Sequence, residues 1–141
     1  MTRINVVPVE ELSDQHLLAE YHELPRVVKK QYYTGLEREQ YHLGKGHVIW
    51  ARRHLHYLLS RYHNLCNEMQ YRGFKVNHPW KELMEVYLKI PGIGGSWYLN
   101  YLPTDGDLKL NKDKLLEKYK LKPTWYRWTK RSKPKYYDSK C

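Results

Sequence analysis

The chain has 141 residues, enough for one domain around one core. Its 25 Lys and Arg outnumber 15 Asp and Glu for a formal charge of +10, and 14 Tyr and 5 Trp accompany a single Phe. No run reaches the roughly 18–20 apolar residues of a membrane span, no signal-like segment follows the N-terminus, and Cys66 and Cys141 form no CxxC pair. A membrane protein and a disulfide scaffold are thereby excluded, and a soluble, cytoplasmic monomer is expected. Basic charge gathered on one surface binds phosphate and releases counterions. Tyr and Trp add flat faces that stack on bases, so the composition favours an anionic partner.

Residues 12–28, LSDQHLLAEYHELPRVV, read as a helix capped by Ser13 or Asp14. At about 100° per residue, Leu17, Tyr21, Leu24 and Val28 form one stripe facing the core. His16 and Glu23 nearly eclipse each other on a different face, with Ala19 between them and Arg26 further round. Pro25 removes a helical hydrogen bond and predicts a kink or interruption. Residues 29–46 are polar, basic and aromatic, with LGKGH at their end, and read as a loop.

A second helix over about 47–72 carries Val48, Leu55, Leu58, Leu59, Tyr62, Leu65, Cys66 and Met69 at helical spacing. Gly73 in YRGF is its stop. NHPWKELMEVYLK (77–89) is a short third helix, with Asn77 or His78 near the cap and Pro79 at the first position. IPGIGGSWYLNYLPTDGD (90–107) is a Gly- and Pro-rich connection. A last helix over about 112–120, capped by Asn111, has Leu115, Leu116 and Tyr119 on its apolar side. No repeat and no strand pattern is visible. The fold class is therefore all-α: a single compact domain over 1–141, of about three main helices with long connections, ending in a loose basic tail at 129–141.

Few motifs rise above this background. His54, His56 and His63 share the second helix, but the first two point about 200° apart, so no metal site is expected. IPGIGG (90–95) resembles the turn of helix-hairpin-helix motifs, yet SWYLNY follows it rather than a capped helix. GKGH (44–47) lacks the strand of a dinucleotide loop. In the C-terminal stretch Trp125, Tyr126, Arg127, Trp128, Lys130, Arg131, Lys133 and Lys135 combine stacking faces with phosphate partners. Two Trp are costly to leave in water, so PTWYRW packs or binds.

Taken alone, Glu23 reads as a solvated face residue, flanked by His22 and followed by Arg26. Thr2 is small enough that removal of Met1 is expected, exposing its α-amine. Such an amine has an ordinary pKa of about 7.7–8.0, so a useful neutral fraction exists near pH 7. Neutral amines attack electrophilic carbon and form Schiff bases, which makes the Thr2 nitrogen a candidate nucleophile.

The segments MTRIN, LSDQHLLAEYHELPRV, LGKGHV, RGF and EKYKLKPTWY occur in this order. Together they resemble the phage-type pyrimidine-dimer DNA glycosylase/AP lyase family, the ultraviolet-repair endonuclease V enzymes. The resemblance is nearly continuous over residues 1–27 and patchy beyond. It implies a compact all-α domain whose N-terminal segment threads between helices. It also implies catalysis by Thr2 and Glu23 without metal or organic cofactor. In the implied reaction the Thr2 amine would attack C1′ of the 5′ nucleotide of a cyclobutane pyrimidine dimer, an imine would form, and Glu23 would assist the β-elimination that cuts the strand. The implied partner is double-stranded damaged DNA, which the family kinks while flipping out the base opposite the lesion.

Arg3, Gln15, His16 and Arg26 match positions lining the family's DNA face, His22 is expected to contact DNA beside them, and Lys114, Lys118, Trp125 and Tyr126 match its basic final helix and aromatic segment. Position 22 is His where the phage pattern has Arg, which makes that contact weaker and pH-dependent. Residues 29–42 are shorter and differently charged than in that pattern, and PGIGGSWY has no counterpart in it. The alternatives are an AP lyase or glycosylase for another lesion, and a non-catalytic module that recognises damaged DNA.

Overall fold

The apolar period along residues 12–28 closes into helix α1, Asp14–Lys29. Ser13 caps it, its Oγ accepting the His16 amide at 3.1 Å. The computed structural model describes residues 4–29, 41, 47, 50–51, 54–88 and 100–138. Thr2, Arg3, the GKG stretch and residues 90–99 lie outside them, as do the side chain of Val28 and the end of the chain beyond 138. Helix α2 spans Leu55–Arg72, α3 Trp80–Leu88 and α4 Asp105–Leu121, with 3-10 turns at Val9–Glu11 and Lys135–Asp138. No extended strand occurs among the described residues, and the all-α class holds.

Leu17, Leu24 and Val27 of α1 are fully buried against Leu58, Tyr62, Leu65 and Met69 of α2. Each such Leu contributes about 1.5–3 kcal/mol by leaving water. Helix α3 packs across both, and α4 enters the core through Asn111 and Leu115. Gly73 stops α2 at φ 91°: its amide donates to the Gln70 carbonyl, and the Phe74 amide to Met69.

Four expectations change. Of the kink or interruption expected at Pro25, the interruption does not occur: helix α1 continues through it. The second helix does not run unbroken from 47. His47, Trp50 and Ala51 are helical, but His54 leaves helical geometry at φ −116°, ψ 52°, its amide donating to Ala51 and its Nδ1 lying 2.8 Å from the Trp50 carbonyl oxygen.

The last helix begins at Asp105, because Thr104 and Asp107 form a reciprocal capping box. Asn111, expected as the cap, is instead a fully buried mid-helix residue. Finally, the stretch read as a loose tail is fastened as far as residue 138. The Thr129 hydroxyl donates to Asp14 at 2.6 Å, Arg131 donates twice to Glu68 at 2.8 and 2.9 Å, and Tyr137 is buried. Asp14 and Glu68, buried carboxylates with acceptor capacity beyond their bonds to Arg72, capture this basic segment.

Residues 4–7 thread through the helices, all of them buried. Ile4 N donates to His47 Nε2 at 3.0 Å, and Tyr41 and Tyr57 donate to the carbonyls of Ile4 and Asn5 at 2.9 and 3.2 Å. Glu20 of α1, nearly fully buried, accepts from Arg61 of α2 at 2.7 and 3.0 Å and from Asn5 Nδ2 at 2.8 Å. Arg61 also donates to the Val7 carbonyl at 2.5 Å. Removing one partner of such a pair strands the other charge in the core. Arg61→Met is therefore expected to lower the unfolding free energy by about 3–5 kcal/mol, read from urea denaturation; a loss below ~1 kcal/mol would show that water reaches Glu20.

Candidate active site and nucleic-acid interface

Helix α1 carries its functional candidates on the side away from the core, at Gln15, His16, His22, Glu23 and Arg26. Arg26 Nη1 donates to Glu23 Oε1 at 3.2 Å; the Glu23 side chain keeps 16% exposure and Arg26 73%. A pair this open contributes little to stability, and leaves the guanidinium reachable by a phosphate. His22 is exposed beside the edge of Tyr21, at 5.1 Å between ring centroids. A cleft of about 420 Å³ opens there, lined by Tyr21, His22, Pro25 and Arg26 of α1 with Tyr62, His78 and Leu83.

The first turn of α1 meets the other end of the chain. Gln15 Nε2 donates to the Trp125 carbonyl at 2.7 Å, and its Oε1 accepts the Arg127 amide at 3.1 Å. His16 stacks on Tyr126 at 4.7 Å, and Tyr126 meets the edge of Trp125 at 5.0 Å. Trp125 stays 54% exposed, with Lys122 Nζ 5.7 Å from its ring.

The electrostatics follow from this packing. Burial, helped by the charge of Lys118, lowers the His16 pKa to about 4. Burial and the charge of Lys114 pull the Lys118 pKa below its ordinary value. Lys114 itself lies 3.5 Å from Glu117. So the structure gathers Gln15, His16, Lys118, Trp125 and Tyr126 into one patch, with Lys114 one turn away on α4. His22, Glu23 and Arg26 lie about two turns further along α1, roughly 10 Å. Thr2 and Arg3 fall outside the described residues. Among the described residues no three His, Cys, Asp or Glu side chains converge to hold a metal ion.

Residues 1–82, more than half of the 141, match the family described as pyrimidine dimer DNA glycosylase. The chain belongs to that family. It is a DNA-repair glycosylase acting on pyrimidine dimers, and DNA is its substrate. The match ends at Glu82, inside α3. The α4 lysines and the aromatic segment lie beyond it, and the fold brings them to the α1 face of the glycosylase.

No helix among the described residues is long and apolar enough to cross a membrane. Sequence reasoning missed the buried charges of this glycosylase: Glu20, Arg61, Glu68 and Arg72. A signal was present. Glu20 falls on the Leu17–Leu24 stripe, and Arg61, Glu68 and Arg72 fall on the Leu58–Leu65–Met69 stripe, where a charge must be paired.

His16 sets a pH dependence. Unfolded, its ring takes a proton near 6.5; folded, only near 4. Between those values the unfolded chain holds more protons, so this group makes stability rise with pH, and the contribution is lost as pH falls through that window. An NMR titration is expected to place the His16 midpoint at about 4, and His16→Phe to flatten the stability slope between pH 4 and 6.5. A midpoint near 6.5 in the folded protein would contradict the buried ring.

Proposed function

We propose that the glycosylase works through the α-amine of Thr2, with Met1 removed, and that it is also an AP lyase on duplex DNA. The amine nitrogen attacks C1′ of the 5′ nucleotide of the dimer. The glycosidic bond breaks, its electron pair leaving with the base, and the sugar opens to an imine with the Thr2 nitrogen. The protonated imine draws electrons from C1′ and acidifies the C2′ proton. Loss of that proton forms the C2′–C3′ double bond and expels the 3′ phosphate. Water then hydrolyses the imine and frees the amine. Glu23 stabilises the cationic intermediates and moves the protons.

The observation that carries this reading is the direction of the N-terminal segment. The Val9, Val7 and Asn5 carbonyls accept in turn from Arg72, Arg61 and Tyr57, stepping back along α2. On α1, Asn5 meets Glu20. The segment therefore runs antiparallel to α1, toward Glu23. Glu23 lies one turn past Glu20, about 4.5 Å along the axis, and the stretch from Asn5 back to Thr2 spans up to about 10 Å extended.

Support for the DNA contacts is electrostatic and geometric. Arg26 and His22 flank Glu23, and Lys114, Lys118, Trp125 and Tyr126 continue the same surface. Arg3 would extend it from the N-terminal side. Gln15 and His16, occupied by the aromatic segment, set the pose in which Trp125 and Tyr126 meet the duplex.

Two outcomes test the reading. Borohydride is expected to trap a covalent complex with dimer-containing duplex, and acetylation of the Thr2 amine to abolish it; an adduct of full yield from the blocked protein would overturn the mechanism. Intact-mass measurement of the working protein, expected to lack Met1, accompanies that assay. Glu23→Gln is expected to slow strand cleavage by about 10²- to 10⁴-fold while an imine can still be trapped; undiminished cleavage would remove Glu23 from catalysis.

A further inference from the structure

The N-terminal segment is gripped by one side chain from a helix that the family match does not reach. Asn111 of α4 is fully buried. Its Oδ1 accepts two main-chain amides, Val6 N at 2.7 Å and Val7 N at 3.1 Å. Its Nδ2 donates to Asn5 Oδ1 at 2.8 Å. The main-chain donors leave no choice of orientation: oxygen must face them, so nitrogen must face Asn5. The Asn5 amide is oriented in turn, with its nitrogen on the Glu20 carboxylate at 2.8 Å. Glu20 holds Arg61, and Arg61 closes the circuit on the Val7 carbonyl.

A slip of the segment by one residue would replace these amides with others pointing elsewhere and break every link. Apolar contacts alone specify no such register, because Ile4, Val6 and Val7 could exchange places along a greasy channel at modest cost.

We infer that Asn111 is a positioning residue for the reaction, setting the axial register of the N-terminal segment and hence the distance from the Thr2 amine to the sugar carbon. This inference rests on the amine mechanism proposed above. The consequence is kinetic. A nucleophile displaced by about 1 Å can lose about 100-fold in rate while the surfaces that bind the substrate stay intact. The DNA-contacting candidates Arg26, Lys118 and Trp125 take no part in the Asn111 circuit.

The test uses the full chain and two DNA probes: a duplex with an abasic site for single-turnover borohydride trapping, and a duplex with a tetrahydrofuran site for binding. Asn111→Ala is expected to trap about 100-fold more slowly and to bind the unreactive duplex like the wild type. Leu115→Ala, one turn along α4 and equally buried, controls for lost stability and is expected to trap at the wild-type rate. If Asn111→Ala does not fold, Asn111→Ser, with an acceptor on a shorter arm, carries the same expectation.

A folded Asn111 variant that traps at the wild-type rate overturns the inference, and so does a loss of binding parallel to the loss of trapping. Wild-type protein with an acetylated amine separates the two levels. Trapping that survives acetylation sinks the amine mechanism itself. Trapping that is abolished by acetylation yet unaffected by Asn111→Ala sinks only the role of Asn111.

Discussion

The buried pair of Glu20 and Arg61 holds the molecule's halves in one frame. Two charges in a core cost several kcal/mol each to desolvate, and their attraction repays that only if every lone pair and proton finds a partner. Here the partners come from the N-terminal segment: Asn5 completes Glu20, and the Val7 carbonyl completes Arg61. The ion pair is thus fully partnered only with the threaded segment in place. A hydrophobic pair of the same volume would hold α1 to α2 equally well, but would not demand that residues 4–7 run between them.

A second cluster does for the C-terminal segment what the first does for the N-terminal one. Asp14 accepts from Arg72, from the Thr129 amide and from its hydroxyl. Glu68 accepts from Arg72 and from Arg131. Burial pushes the Glu68 carboxyl up, but hydrogen bonds from Arg131 and Arg72, with their charges, hold it below the usual carboxylate range. Arg131 also lies 4.2 Å from the centre of the Tyr71 ring. Trp125 and Tyr126 therefore project from a segment fastened at Gln15 on one side and at Asp14 and Glu68 on the other. The exposed indole is presented by a rigid mount, which, in the DNA contact proposed for it, would spare the entropy of ordering it.

The sequence was most legible where a single helix decides the outcome. Leu17, Tyr21 and Leu24 of the α1 stripe, the Ser13 cap and the Gly73 stop follow from local periodicity and capping chemistry, and each stands where that chemistry puts it. Glu23 was singled out through the family resemblance, since a lone carboxylate on a helix face has no local signature. The start of α4 was misread because Gly106 and Asp107 look like a turn, while the reciprocal bonds of Thr104 and Asp107 make them a helical cap. At the break His54 meets the ring of Tyr101 at 5.0 Å as well as that of Trp50 at 5.4 Å, and no local window contains Tyr101. The tail was misread for the same reason. Its partners Asp14 and Glu68 lie 115 and 63 residues away.

The Asn5 to Asn111 hydrogen bond spans 106 positions of the chain. During synthesis residues 4–7 emerge early, yet the residue that holds them arrives more than a hundred positions later. Helices α1 and α2 can pair early through local and mid-range contacts, whereas the long-range closure must wait. On the mechanism proposed above, a nascent chain therefore has the Thr2 amine without the grip that aims it. On that reading the amine precedes the residue that aims it, so a chain short of Asn111 carries an amine no more directed than that of any other polypeptide.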